Sequence, residues 1–151
     1  MASLPKNAKS DYMNESELRA LNRVCDCFMP RNGEHPSFSD LGCIQHIDLF
    51  LPYVPEPDLK DLKMLLGMLA VLPGFVTTFV VWASQKGQGW FEPLGTLMRK
   101  LDYGFRSIAL ALYYSGLASD EYAGKTPLEI IGFEVSAVHC DGRVENPYVR
   151  A

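Results

Sequence analysis

The cysteines are the residues of this chain that could ligate a metal or act as nucleophiles. Cys25 and Cys27 are separated by one residue. This spacing differs from the C-x-x-C spacing of common zinc and redox sites, and no second closely spaced pair follows. We therefore expect free cysteines that are buried as small hydrophobic residues. A disulfide or a metal site is the alternative for Cys25, Cys27, Cys43 and Cys140.

The three histidines do not fall into a recognisable catalytic or metal-binding motif. His35, His46 and His139 are far apart, and none occurs in an H-x-x-x-H or H-E-x-x-H sequence. The sequence GKT at residues 124–126 is similar to the end of a phosphate-binding loop, but Ser119 stands where that motif has its first glycine. We therefore predict no catalytic residue, no metal ligand and no cofactor-binding residue in this chain.

The overall composition is typical of one globular domain. The chain has 151 residues, of which 48% are hydrophobic and 21% charged. A net charge of -4 and the absence of a basic cluster argue against a nucleic-acid partner. The N-terminal sequence MASLPKNAKSDYMNESE has neither the apolar core of a signal peptide nor an Arg-Arg pair. We predict a cytoplasmic protein, with co-export to the periplasm beside a signal-bearing partner as the alternative.

Hydrophobic periodicity predicts an all-α fold, an irregular bundle of about five helices joined by loops that contain proline and glycine. We expect a polar tail over residues 1–14, a single helical domain over 15–138 and a second polar tail over 139–151. Asn14 or Ser16 can cap the first helix. Gly104 lies inside the last long helix, where it would mark close packing or a kink.

Two further helices are predicted from caps and spacing. Ser37 and Asp40 form a capping-box-like pair at the start of a second helix, which we expect to continue to Leu51. The next helix opens with Pro57, a residue well suited to the first turn of a helix.

One stretch, MLLGMLAVLPGFVTTFVVWA, runs from Met64 to Ala83 without a charged side chain. It is about as long as the ~20 residues that a membrane-spanning helix needs. Pro73 and Gly74 interrupt it, and proline breaks or bends a helix. We expect two helices that form a hairpin at the centre of the bundle. If the hairpin is not central, its exposed side is where a larger protein would bind. A membrane-associated helical protein is a competing interpretation.

Large aromatic side chains cluster at the ends of the predicted helices. Adjacent aromatic residues cannot all face one small core, and aromatic residues commonly anchor protein–protein contacts. A stand-alone helical enzyme or small-ligand carrier, with a pocket lined by Trp82, Phe79 and the methionines, is the remaining alternative. The candidate partner interface consists of Phe79, Val80, Trp82, Trp90, Phe91, Tyr113, Tyr114 and Phe133.

The C-terminal stretch FRSIALALYYSGLASDEYAGKTPLEIIGFE, residues 105–134, resembles the gluconate 2-dehydrogenase subunit 3 family. The similar elements are a helix ending in Tyr-Tyr-Ser at residues 113–115, a polar loop with Gly124, and Ile-Gly-Phe at 131–133. An earlier stretch, a helix followed by a proline-containing loop and a helix with Ile47-Asp48, also looks like that family's pattern. The sequence departs from the family at Thr126-Pro127-Leu128, where relatives often carry a tryptophan, and no twin-arginine signal is visible.

The resemblance implies a small helical subunit without a catalytic role. Its partner would be a large FAD-dependent oxidoreductase of the glucose-methanol-choline type, which the small subunit stabilises or helps to mature and export. FAD is then expected in the partner and no cofactor in this chain. Membrane association would be possible through the complex.

Overall fold

The computed structural model describes residues 4–133, and this part of the chain is helical, without strands. The prediction of an all-α bundle is confirmed. The α-helices are α1 (Glu15–Phe28), α2 (Phe38–Leu41), α3 (Glu56–Val71), α4 (Gly74–Lys86), α5 (Leu94–Tyr113) and α6 (Pro127–Ile130). Short 3₁₀ helices span Cys43–Leu49, Leu51–Tyr53 and Gly87–Gly89.

The helix starts follow the capping signals of the sequence. The Asn14 side chain accepts a hydrogen bond from the backbone N–H of Glu17, whose carboxylate accepts one from the N–H of Asn14. Ser37 and Asp40 form the same reciprocal box before α2. These bonds satisfy N–H groups that a helix leaves without partners at its first turn, so the predicted starts of α1 and α2 are confirmed.

The second predicted helix is shorter than expected. Gly42 has a φ of +67° and ends α2, and the chain continues to Leu49 as a 3₁₀ helix. A side chain at Gly42 would place its Cβ 2.7 Å from the Cβ and Oγ of Ser119. The close approach of the Ser119 loop, whose N–H donates to the Leu41 carbonyl, therefore breaks the helical path. The prediction of one continuous helix to Leu51 is wrong.

Helix α1 is the centre of the fold. Helices α3, α4 and α5 all pack against it, and α4 also packs against α5. Leu21, Val24 and Cys25 of α1 are completely buried. Their burial stabilises this centre, since a fully buried side chain of the size of Val or Leu contributes about 1.5–3 kcal/mol.

The uncharged run breaks at Pro73, as its sequence predicts, but its two halves do not form a central hairpin. Helix α3 ends at Val71 and α4 begins at Gly74. The two helices share few close backbone contacts, and each packs separately on α1. The Arg23 guanidinium of α1 donates a 3.0 Å hydrogen bond to the Leu69 carbonyl in the last turn of α3. This contact ties the end of α3 to α1.

The segment before α1 is only in part the exposed tail that the sequence predicts over residues 1–14, since two of its residues pack on the helices. Ala8 and Met13 are buried in the core. The Asp48 carboxylate accepts hydrogen bonds from the Ser10 hydroxyl and from the backbone N–H of Asp11, the latter 2.8 Å long. The predicted C-terminal tail over 139–151 lies outside the described residues.

Candidate functional site

Helix α4 buries two polar residues, Thr77 and Ser84, and exposes its largest side chains. Thr77 and Ser84 each have a relative exposure of 1%, whereas Phe75 and Phe79 are 74% and 61% exposed. Trp82 follows one turn after Phe79 and is half exposed, with its ring centroid 5.8 Å from that of Phe79. We call Phe75, Phe79 and Trp82 the aromatic face of α4.

The aromatic face is produced by helical spacing. Positions 75, 79 and 82 recur at four and three residues and therefore share one side of a helix. Thr77, Val81 and Ser84 recur in the same way on the side that meets α1 and α5. The small residues permit close packing of α4 on its neighbours. The buried Ser84 hydroxyl donates a 2.8 Å hydrogen bond to the Val81 carbonyl and so has a partner within α4.

Exposing this face is energetically unfavourable for the isolated chain. Burial of a large apolar side chain is worth about 1.5–3 kcal/mol, and three such residues stand next to each other in water. Lys86, the last residue of α4, is its one charged residue. Contiguous exposed apolar surface makes the aromatic face of α4 a candidate interaction surface.

A second pair of exposed aromatic residues follows α4. Phe91 is 77% exposed and Trp90 is 42% exposed. The Trp90 ring lies against Gly87, since a Cβ there would stand 3.2 Å from two of its ring atoms. Met98 of α5 also contacts Gly87, since its Cγ would stand 2.9 Å from the same added Cβ. One side of the Trp90 ring therefore packs on Gly87, whereas Phe91 remains in solvent.

Two residues of the predicted interface do not lie on an open surface. Tyr113 is buried and its hydroxyl donates a 2.6 Å hydrogen bond to the Pro36 carbonyl. Val80 is half-buried and packs against the hydrophobic core. Tyr113 is therefore a core residue, and its assignment to the surface is wrong. Tyr114 and Phe133 are exposed, so the described structure leaves both of them available for contact.

Sequence reasoning missed part of the exposed apolar surface. Phe75 belongs with Phe79 and Trp82 by its spacing. On α3, Met64, Met68 and Val71 form an exposed stripe at intervals of four and three residues. The spacing of these residues in the sequence shows that they share one face of a helix. Spacing alone does not show whether that face is buried or exposed, because a buried stripe has the same periodicity.

The three cysteines between residues 4 and 133 are not linked to one another. Cys25, Cys27 and Cys43 are free, so no disulfide forms among the cysteines of the described segment. Burial raises the pKa of the Cys25 thiol well above its usual range and raises the pKa of Cys43 to about 12. Both are buried as small hydrophobic residues, as expected. Cys140 lies outside the described residues.

The histidines and acidic residues do not form a metal site in the part of the chain that is described. Between residues 4 and 133, no group of three or more His, Cys, Asp or Glu side chains could hold a metal ion. His46 has Nε2 3.0 Å from the Ala118 carbonyl oxygen, a contact that fastens the 3₁₀ helix to the loop after α5. His35 lies in the tight turn before α2, where its backbone pairs with Asn32. His139 is outside this range.

A membrane-spanning helix over residues 64–83 is the alternative interpretation of the uncharged run, and the helices of the structure test it by their length and hydropathy. Among residues 4–133, none of the helices combines the length and the hydropathy that a membrane crossing requires. The break at Pro73 divides the uncharged run into parts of two helices, each shorter than a span.

Comparisons with protein-family models, curated proteins and solved structures find no match to the chain. The resemblance to the gluconate 2-dehydrogenase subunit 3 family therefore rests on the short sequence elements quoted above.

Proposed function

We propose that the chain is a non-catalytic small subunit that stabilises or matures a larger protein, with the aromatic face of α4 as the binding surface. The observation that carries this proposal is the inverted pattern of α4, which buries Thr77 and Ser84 and exposes Phe75 and Phe79. A partner that covers this face would remove three large apolar side chains from water. Aromatic residues in such a position are the usual anchors of protein–protein interfaces.

The sequence resemblance supplies the class of the partner. We propose a FAD-dependent oxidoreductase of the glucose-methanol-choline type, in which the large subunit holds the flavin and carries out the oxidation. The small subunit would act by binding alone. The exposed Trp90 and Phe91 could extend the contact beyond α4, and Tyr114 and Phe133 are further exposed aromatic residues.

The proposal is tested by affinity purification of the tagged chain from its native host. The expected result is a stoichiometric larger protein with the absorption spectrum of a flavin. Trp82→Asp and Phe75→Asp place charges on the aromatic face and should abolish recovery of the flavoprotein. Leu49→Asp is the matched control, because Leu49 is also exposed but lies on the 3₁₀ helix after α2.

Recovery of the same flavoprotein by the Trp82→Asp and wild-type chains would show that α4 is not the binding surface. A purified wild-type complex without flavin would exclude the proposed partner class.

A further inference from the structure

A groove with a volume of 610 Å³ lies between α3 and α5. Both helices pack on α1, but they share few close backbone contacts with each other. The aromatic face described above does not line this groove. The apolar side chains of the groove include Leu62, Leu65, Leu101, Phe105 and Ile108.

The two walls of the groove carry opposite charges that do not meet. Asp58 and Asp61 lie on the α3 wall and Lys100 lies on the α5 wall, and all three are exposed. Within residues 4–133, none of the three takes part in an ion pair. The groove therefore separates complementary charges by more than the length of a salt bridge, and a segment lying between the walls could pair with both.

The α5 wall allows close approach at its centre. Gly104 is exposed inside a helix of 20 residues, where glycine costs about 1 kcal/mol relative to alanine. A Cβ at Gly104 would have no neighbouring atom within 4 Å, so packing inside this chain does not require glycine there. Ser107 and Ala111 continue the exposed side as small residues, and Tyr103 projects beside Gly104 with 64% exposure.

We propose that a second copy of this chain binds in the groove. In the proposed dimer, α5 of each copy lies antiparallel to α5 of the other, crosses it near Gly104 and enters the groove between α3 and α5 of the other copy. Lys100 of each copy then faces Asp58 and Asp61 of the other. Leu97 and Tyr103, exposed on α5, are buried against the apolar residues of the groove.

Charge complementarity is the reason for choosing a second copy as the occupant. A two-fold interface must be self-complementary, because each patch meets its own image across the axis. A patch with acidic residues on one wall and a lysine on the opposite wall satisfies this condition when two copies meet in antiparallel orientation. The apolar contacts provide the affinity, and the exposed ion pairs, each worth about 0.2–1 kcal/mol, select the orientation.

Charge-reversal variants test the proposal by sedimentation velocity of the purified full chain. The wild-type chain should form a dimer. Lys100→Glu alone places glutamate opposite two aspartates and should shift the chain to monomer. Asp58→Lys with Asp61→Lys places lysines opposite Lys100 and should do the same. An equimolar mixture of the two variants should form a heterodimer, since every facing pair is then of opposite sign.

A matched pair of glycine variants tests the close crossing. Gly104→Leu should prevent association, whereas Gly67→Leu should leave it unchanged. Gly67 is also a helical glycine with nothing within 4 Å of an added Cβ, but it does not line the groove. Circular dichroism of each variant confirms that the fold is retained.

A wild-type chain that stays monomeric at high micromolar concentration overturns the proposal. A mixture of the two charge variants that stays monomeric also overturns it. This dimer uses a surface separate from the aromatic face of α4 and is measured on the chain alone. Its failure would therefore leave the proposed flavoprotein partner unaffected, and the reverse is also true.

Discussion

The hydroxyl of Tyr113 donates a 2.6 Å hydrogen bond to the carbonyl oxygen of Pro36, across 77 positions of sequence. This bond joins the last residue of α5 to the loop before α2, and both residues are buried. Tyr114, the next residue, is exposed and meets the Tyr113 ring edge to face at 5.1 Å. Of two adjacent tyrosines, one therefore holds the fold together and the other remains available at the surface.

Tyr113→Phe should lower the free energy of unfolding by about 1–3 kcal/mol. The substitution keeps the ring but leaves the buried Pro36 carbonyl without its donor, and an unsatisfied buried polar group costs that much. Urea denaturation of the two proteins measures the difference. Tyr114→Phe is the matched control and should change stability by less than about 0.5 kcal/mol, as expected for an exposed side chain.

Stability should also fall at alkaline pH through Tyr113. Burial raises the pKa of this phenol to about 12 in the folded chain, whereas an unfolded tyrosine titrates near pH 10. Between these values the unfolded chain has lost the proton and the folded chain retains it. The contribution of the protonated Tyr113 phenol to the free energy of unfolding is therefore fully present below about pH 10 and is lost as the pH rises toward 12.

Between pH 10 and 12, the free energy of unfolding should fall less steeply with pH for Tyr113→Phe than for the wild-type chain. The difference should be up to about 1.4 kcal/mol per pH unit. Parallel slopes for the variant and the wild-type chain above pH 10 would contradict the assigned pKa.

Neighbouring positions on α4 should respond differently to a charge. Val80→Glu places a carboxylate against the hydrophobic core and should destabilise the chain by about 2 kcal/mol or more. Phe79→Asp replaces a side chain that is 61% exposed and should leave the fold intact. Thermal melts of the two variants distinguish these outcomes. Loss of folding in Phe79→Asp would show that the aromatic face is part of the core.

Alanine substitutions at two glycines with positive φ can distinguish the cost of backbone strain from the cost of a steric clash. Gly42 and Gly33 have φ values of +67° and +58°. An added Cβ at Gly33 meets nothing within 4 Å, whereas at Gly42 it would stand 2.7 Å from Ser119. Alanine at either position pays about 1 kcal/mol or more for the left-handed conformation. Chemical denaturation should therefore show a larger loss of unfolding free energy for Gly42→Ala than for Gly33→Ala. Equal losses would mean that the Ser119 loop moves away from the added Cβ without a measurable loss of stability.

The features that the sequence predicts correctly here are local ones. The caps at Asn14 and Ser37 and the break at Pro73 involve residues within a few positions of each other. Local hydrogen-bond and steric rules decide such features. The starts of α1, α2 and α3 could therefore be predicted to within a few residues, whereas the end of α2 could not.

The features that the sequence does not predict depend on contacts between distant residues. The shortened α2 results from Ser119 approaching Gly42, and the packing of residues 4–13 results from Asp48 accepting their hydrogen bonds. Thr77 illustrates the same point for the candidate surface. A hydrophobicity pattern alone places this polar residue outside, whereas it is buried where α4 meets its neighbours.

The three described cysteines should differ in their reaction with a thiol reagent. Cys25 and Cys43 are buried, whereas Cys27 is half-buried, 3.9 Å from the Thr78 hydroxyl. Burial raises the pKa of Cys43 to about 12, so this cysteine is a protonated thiol at pH 8 and not the reactive thiolate.

In a Cys140→Ser background, native labelling with a maleimide at pH 8 should therefore modify Cys27 first and leave the other two until the chain unfolds. Mass spectrometry of the labelled peptides checks the order, and Cys27→Ser should abolish the early phase. Labelling of Cys43 at the rate of Cys27 would show that the α1 core opens readily in the native state.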